Sequence, residues 1–76
     1  MAVAFVLVDA DVGKVRDILA ELKRTKGVAE AYTVAGPHDI VVKLKAEKFE
    51  KVAEAVTKKL HKIGGVRNTL TLFAFE

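Results

Sequence analysis

Two halves of the chain repeat one strand-helix-strand pattern, each helix closes on a Gly-Val pair, and the first strand is an unbroken apolar run; together these predict an α+β fold of the ferredoxin-like βαββαβ kind. In that fold a four-stranded antiparallel sheet carries both helices on one face. Sliding the chain by about 38 residues lays Val15 on Ala53, Ile18 on Val56, Leu22 on Leu60, Gly27 on Gly65 and Val28 on Val66.

Each element has a local reason. Val3 to Val8 is apolar and rich in β-branched residues, as expected of a central strand buried on both faces. After Asp9-Ala10-Asp11, the positions Val12, Val15, Ile18, Leu19 and Leu22 recur at helical spacing, with Lys14, Arg16, Asp17, Glu21 and Lys23 on the other side. Asp11 is the expected N-cap, and the Lys23, Arg24, Lys26, Gly27 run ends the helix near Lys26, where cations meet the negative end of its dipole. Val28 to Ala35 and Ile40 to Lys45 read as a hairpin. The second helix carries Phe49, Val52, Ala53, Val56 and Leu60 on one face, and Ile63-Gly64-Gly65 leads into a last strand from Val66 to Phe75.

Two helices can cover only one side of such a sheet. Ala4, Val6 and Val8 oppose Phe5 and Leu7, and Leu70 and Leu72 oppose Phe73 and Phe75, so the uncovered side carries large apolar side chains too. A soluble protein hides a patch of that kind against a partner. With Glu76 following the last strand directly, the expected cover is a second copy packed face to face through the open sheet.

Composition narrows the function. A chain of 76 residues reads as one domain, 1–76, with a small core, and 51% hydrophobic content alongside 30% charged residues points to an oligomer. The absence of cysteine excludes disulfides, thiolate metal sites and cysteine nucleophiles, and no signal-peptide pattern is present, so a cytoplasmic location is expected. No apolar run reaches membrane-spanning length. The net charge of +3 comes from Lys and Glu interspersed along the helices, which reads as a solvated surface and not as a nucleic-acid footprint. Heavy use of Lys, Glu and Val, with no Cys or Gln, suits a thermophilic source.

The unusual side-chain chemistry is gathered at the seam between the repeats, in Gly36-Pro37-His38-Asp39. As structure, this is a reverse turn with Pro37 presetting φ. As a site, its backbone N–H and C=O groups can grip the carboxylate and ammonium of a small zwitterion, with Asp39 adding charge for the ammonium. Thr69 and Thr71 place two hydroxyls on one side of the last strand, next to Asn68; they serve either as plain strand formers or as a polar lining. Catalysis finds little support, because the chain has neither serine nor cysteine and only His38 and His61 as candidate general bases. His61, in a Lys-rich helix end with Lys58, Lys59 and Lys62, reads as a dipole-compensating group. The two histidines make no metal-ligand set, and the third strand, Ile40 to Lys45, lacks the aromatics an RNA-stacking sheet needs. No cofactor is expected.

The opening strand-helix-Gly-Val-strand, the turn Gly36-Pro37-His38-Asp39 followed by Ile40-Val41-Val42-Lys43-Leu44, and the ending Ile63-Gly64-Gly65-Val66-Arg67-Asn68-Thr69-Leu70-Thr71-Leu72 resemble the effector-binding domain, often called RAM, of the Lrp/AsnC or feast/famine transcriptional regulators. The likeness covers almost the whole chain. It implies an amino-acid sensor whose dimers pack through their sheets and join into rings of four or five dimers, octamer or decamer, with effector held between dimers. The family's Gly-x-x-Asp maps onto Gly36 and Asp39, and its strand hydroxyls onto Thr69 and Thr71. Two departures stand in the turn: His38 where members often carry tyrosine, and Pro37. The first strand follows Met1 almost at once, so the chain reads as a stand-alone form without the helix-turn-helix, not expected to bind DNA directly but able to co-assemble with a full-length regulator of the family.

Three other readings compete. One is a small dimeric α+β barrel enzyme with His38 or Tyr32 as acid or base; another is an ACT-like regulatory domain; the last is a purely structural assembly module.

Overall fold

The computed structural model describes residues 1–75. Its elements are β1 (Ala2–Ala10), α1 (Val15–Arg24), β2 (Val28–Thr33), β3 (Ile40–Ala46), α2 (Phe49–Lys58), a short 3-10 helix (Leu60–Lys62) and β4 (Val66–Ala74). The strands lie in the order β2-β3-β1-β4, and every neighbouring pair is antiparallel. This is the βαββαβ architecture expected, with the apolar β1 in the middle.

The core fills the space between sheet and helices. Ala4, Val6 and Val8 of β1 and Ile40, Val42 and Leu44 of β3 meet Ile18 and Leu22 of α1, with Val52, Val56 and Leu60 closing the other side. Each Val, Leu or Ile so buried contributes about 1.5–3 kcal/mol. At the far end Phe49 meets Phe73 and Phe75 edge-on, with ring centroids 5.6 and 6.1 Å apart.

The elements differ from the sequence reading in α1, β2 and α2, and by one residue at the ends of β3 (Ala46) and β4 (Ala74). The α1 N-cap is Lys14, not Asp11, and no side chain caps the helix. The Asp11 N–H donates to the Gly65 carbonyl at 2.8 Å and its carbonyl accepts from Lys14 N–H at 3.0 Å, so the chain turns once more before the helix begins. That turn leaves Val12 outside the helix and 98% exposed. At its other end α1 stops at Arg24, two residues early, where Thr25 donates its hydroxyl to the Glu21 carbonyl at 2.8 Å. β2 ends at Thr33 and not Ala35: the Val34 N–H still donates to the Asp39 carbonyl at 2.9 Å, but the Asp39 N–H goes to the Val8 carbonyl at 3.0 Å and does not return to Val34. In α2 the inward residues are Val52, Ala55 and Val56; Ala53 faces solvent, and a switch to 3-10 winding keeps Leu60 buried.

The side of the sheet without helices is apolar along β1 and β4 and carries the charged pair Glu30 and Lys43 towards β2 and β3. The register sets Tyr32, Val41, Leu7 and Leu70 in one row and Glu30, Lys43, Phe5 and Leu72 in the next. Phe5, Leu70 and Leu72 are 38%, 49% and 50% exposed there. Alternation along the strands requires this, because the even positions of β1, from Ala2 to Ala10, are all spent on the core.

Candidate functional site

The β2–β3 turn is fastened to the end of β1. The Asp39 N–H donates to the Val8 carbonyl at 3.0 Å, and Asp39 Oδ2 accepts from the Ala10 N–H at 2.8 Å. Beside them His38 Nδ1 lies 2.8 Å from Asp9 Oδ1, both side chains largely buried. Gly36 sits at φ +148°, with nothing within 4 Å of where a Cβ would stand, and Gly36 and Pro37 are exposed. The tetrapeptide therefore divides: Gly36 and Pro37 present backbone to solvent, while His38 and Asp39 hold the turn in place.

Sequence reasoning misses the Asp9–His38 pair. The signal that could have found it is the alternation Phe5, Leu7, Asp9, which puts this carboxylate on the open face at the mouth of the hairpin.

Thr69 and Thr71 do lie on one side of β4, both half-buried, on the side facing the helices: they pair with Val8 and Val6 of the core. The Thr69 hydroxyl is 2.7 Å from His61 Nε2, so His61 is engaged with the strand as well as placed at the helix end. β1 runs between β3 and β4, so within one chain the turn and the threonines stand two strand spacings apart, about 10 Å. A single copy does not bring them into one pocket; a shared site needs a second copy to bridge them.

Tyr32 occupies the open face. Its hydroxyl donates to Glu30 Oε1 at 2.7 Å, and Lys43 Nζ is 3.6 Å from Glu30 Oε2. That hydrogen bond first, and the Lys43 charge second, hold the Glu30 carboxyl below its ordinary value of 4.5. The same hydrogen bond and the carboxylate charge push the Tyr32 phenol above 10.0. Among the described residues no group of three His, Cys, Asp or Glu could hold a metal ion, and no helix is long and apolar enough to cross a membrane.

Comparison with known proteins agrees with the fold. Residues 3–76 match the family model of the Lrp/AsnC ligand binding domain. The chain is 40% identical over 75 residues to the uncharacterised HTH-type transcriptional regulator PF0250 of Pyrococcus furiosus, covering 95% of this chain and 50% of that one. It thus spans about half the length of such relatives. The crystal structure of TTHA0845 from Thermus thermophilus superimposes with a TM-score of 0.95 at 33% identity, covering 100% of this chain and 95% of that one. The transcriptional regulator NMB0573 of Neisseria meningitidis, solved as its L-Met complex, shares the fold with a TM-score of 0.86 at 17% identity, covering 99% of this chain and 50% of that one.

Proposed function

The chain belongs to the Lrp/AsnC ligand binding domain family, and on that premise we propose that it is an amino-acid effector-binding and oligomerisation module acting in transcriptional regulation. The observation that carries the proposal is the family match over residues 3–76, with relatives that are themselves HTH-type transcriptional regulators. A regulator of the same fold solved with L-Met is in keeping with an amino acid as effector. Effector is bound by the exposed backbone of Gly36 and Pro37, by Asp39, and by Thr69 and Thr71 of an adjoining copy, His38 fixing the turn. The apolar face of the sheet joins two copies, and dimers assemble further into an octamer or decamer or join a full-length regulator of the family. Output follows if effector prefers one assembly to another, because a ligand shifts an equilibrium only by its difference in affinity.

Light scattering at micromolar concentration, with a thermal-shift screen of the standard amino acids, tests this. The expected mass exceeds a dimer. At about 100 times Kd the effector adds about 2.7 kcal/mol of stability. A monomer that no amino acid stabilises would end the proposal.

One observation favours a second reading, an assembly module with an idle effector site. His38 and Asp39 are both committed within the chain, to Asp9 and to the Ala10 amide. An oligomer of the expected mass that no amino acid stabilises would select it.

A further inference from the structure

The start of β4 forms a polar cleft of about 300 Å³, lined by His61, Val66, Arg67, Asn68 and Thr69. We propose that this cleft is an oxyanion subsite, which in an amino-acid effector would take a side-chain carboxylate and so select dicarboxylic amino acids. The amino-acid part of this inference rests on the effector reading above; the oxyanion part does not.

Four features carry it. No carboxylate lines the cleft, and among the described residues Arg67 makes no ion pair, so a guanidinium able to grip an oxyanion with two parallel hydrogen bonds is available. Asn68 and Thr69 line the same cleft, and the Thr69 hydroxyl, on the helix side of β4, supplies a neutral donor. His61 Nε2 lies 2.7 Å from Thr69 Oγ1; when Nε2 carries the proton and donates it, the hydroxyl hydrogen is released to point at a bound anion, and in the imidazolium form the ring adds charge. Finally, β4 has β1 on one side only, so the peptide groups of its outer edge have no neighbouring strand and can add backbone donors.

The charge pattern across the sheet end gives the subsite a direction. Asp39 stands across β1, tied to Ala10, and Asp9, on β1 opposite Asn68, is engaged by His38, so both carboxylates are drawn to the turn, whereas no carboxylate lines this cleft. A ligand held by both kinds of surface, contributed by two copies, would place its ammonium at the turn and an anionic end at Arg67.

The test is NMR titration of the isotope-labelled full chain with L-aspartate, L-glutamate, L-asparagine, L-glutamine and inorganic phosphate, on wild type, R67Q and H61A. Arg67 and His61 are exposed, and a thermal melt of each variant verifies folding. We expect the dicarboxylic acids to shift the amides of 67–69 and to bind at least about tenfold more tightly than their amides, a preference that R67Q removes and H61A weakens. Phosphate shifting the same amides without a dicarboxylate preference, and losing the effect in R67Q, would assign the subsite to a phosphoryl group. If phosphate acts there while no amino acid moves any resonance, the effector reading fails and the subsite stands. If neither probe moves residues 67–69, or R67Q responds as wild type does, the subsite is overturned.

Discussion

The Asp39 carboxylate is tied to the backbone of Ala10 across 2.8 Å, joining the β2–β3 turn to the last residue of β1. Asp39 is thus both the charged member of the candidate effector site and the fastener of the loop that forms it. The two roles separate by substitution. Asp39→Ala leaves the part-buried Ala10 amide without its acceptor and should cost about 1–3 kcal/mol in urea denaturation. Asp39→Asn keeps an acceptor oxygen, so it should retain most of the stability while losing the ligand-induced rise in Tm. Equal stability of Asp39→Ala and wild type would show the tie to be idle.

Leu72 pairs with Phe5 on the open face of the sheet and is half exposed in the single chain. Leu72→Glu should therefore leave the fold intact and, in the proposed dimer, place an unpaired charge between the two sheets, an arrangement costing several kcal/mol once desolvated. Sedimentation should show mass falling to that of a monomer, with unchanged circular dichroism. Wild-type mass in the variant would mean that copies join elsewhere.

Gly65 lies at φ +96°, and a Cβ there would stand 2.8 Å from Lys14 Cβ and 3.3 Å from Ile18 Cδ1. Gly65→Ala combines an unfavourable backbone conformation with a clash where β4 begins. A loss of about 2–4 kcal/mol is expected from strain and displacement together. Gly36→Ala meets open space, so its cost should be the smaller of the two in the same denaturation series.

Tyr32 is the one tyrosine, and tryptophan is absent, so alkaline difference absorbance reads this phenol alone. Its midpoint should lie above 10.0, and Glu30→Gln should bring it back down by removing the carboxylate. The sign for stability follows from linkage. The Tyr32 contribution is fully present below 10.0 and is lost as pH rises through the raised folded value; the Glu30 contribution is present above 4.5 and is lost as pH falls through the lowered one. Tyr32→Phe should flatten the alkaline limb. A midpoint at 10.0 in wild type would mean that the Tyr32–Glu30 bond does not persist in solution.

The fold is readable because its pattern is carried by side-chain period: the β1 run, the two helical stripes and the repeated Gly-Val endings each specify an element without reference to the others. What escapes the sequence depends on contacts between elements. Asp11 looks like a cap in isolation, but Gly65, more than fifty residues on, takes its N–H and delays the helix to Val15. The repeat matches Ala53 to Val15 and so puts it on the buried stripe, whereas Val52 and Val56 set the stripe and leave Ala55 as the residue that fits between them. For the site, residue types and their strands are legible, and the partners are not. Neither the Asp9–His38 pair nor the His61–Thr69 bond follows from spacing, since each is made by two segments that the sheet order brings side by side.

That order has a consequence for how the molecule is made. β1 leaves the ribosome before the other strands, yet its neighbours are β3 and β4, the latter the last strand of the sheet to be synthesised. A nascent chain stopped after β3 would expose the backbone of the most apolar strand along one whole edge, a template for pairing with the wrong molecule. Closure of the native sheet therefore waits for Val66–Ala74 to emerge and cover that edge, and chains truncated before this segment should be recovered as aggregates.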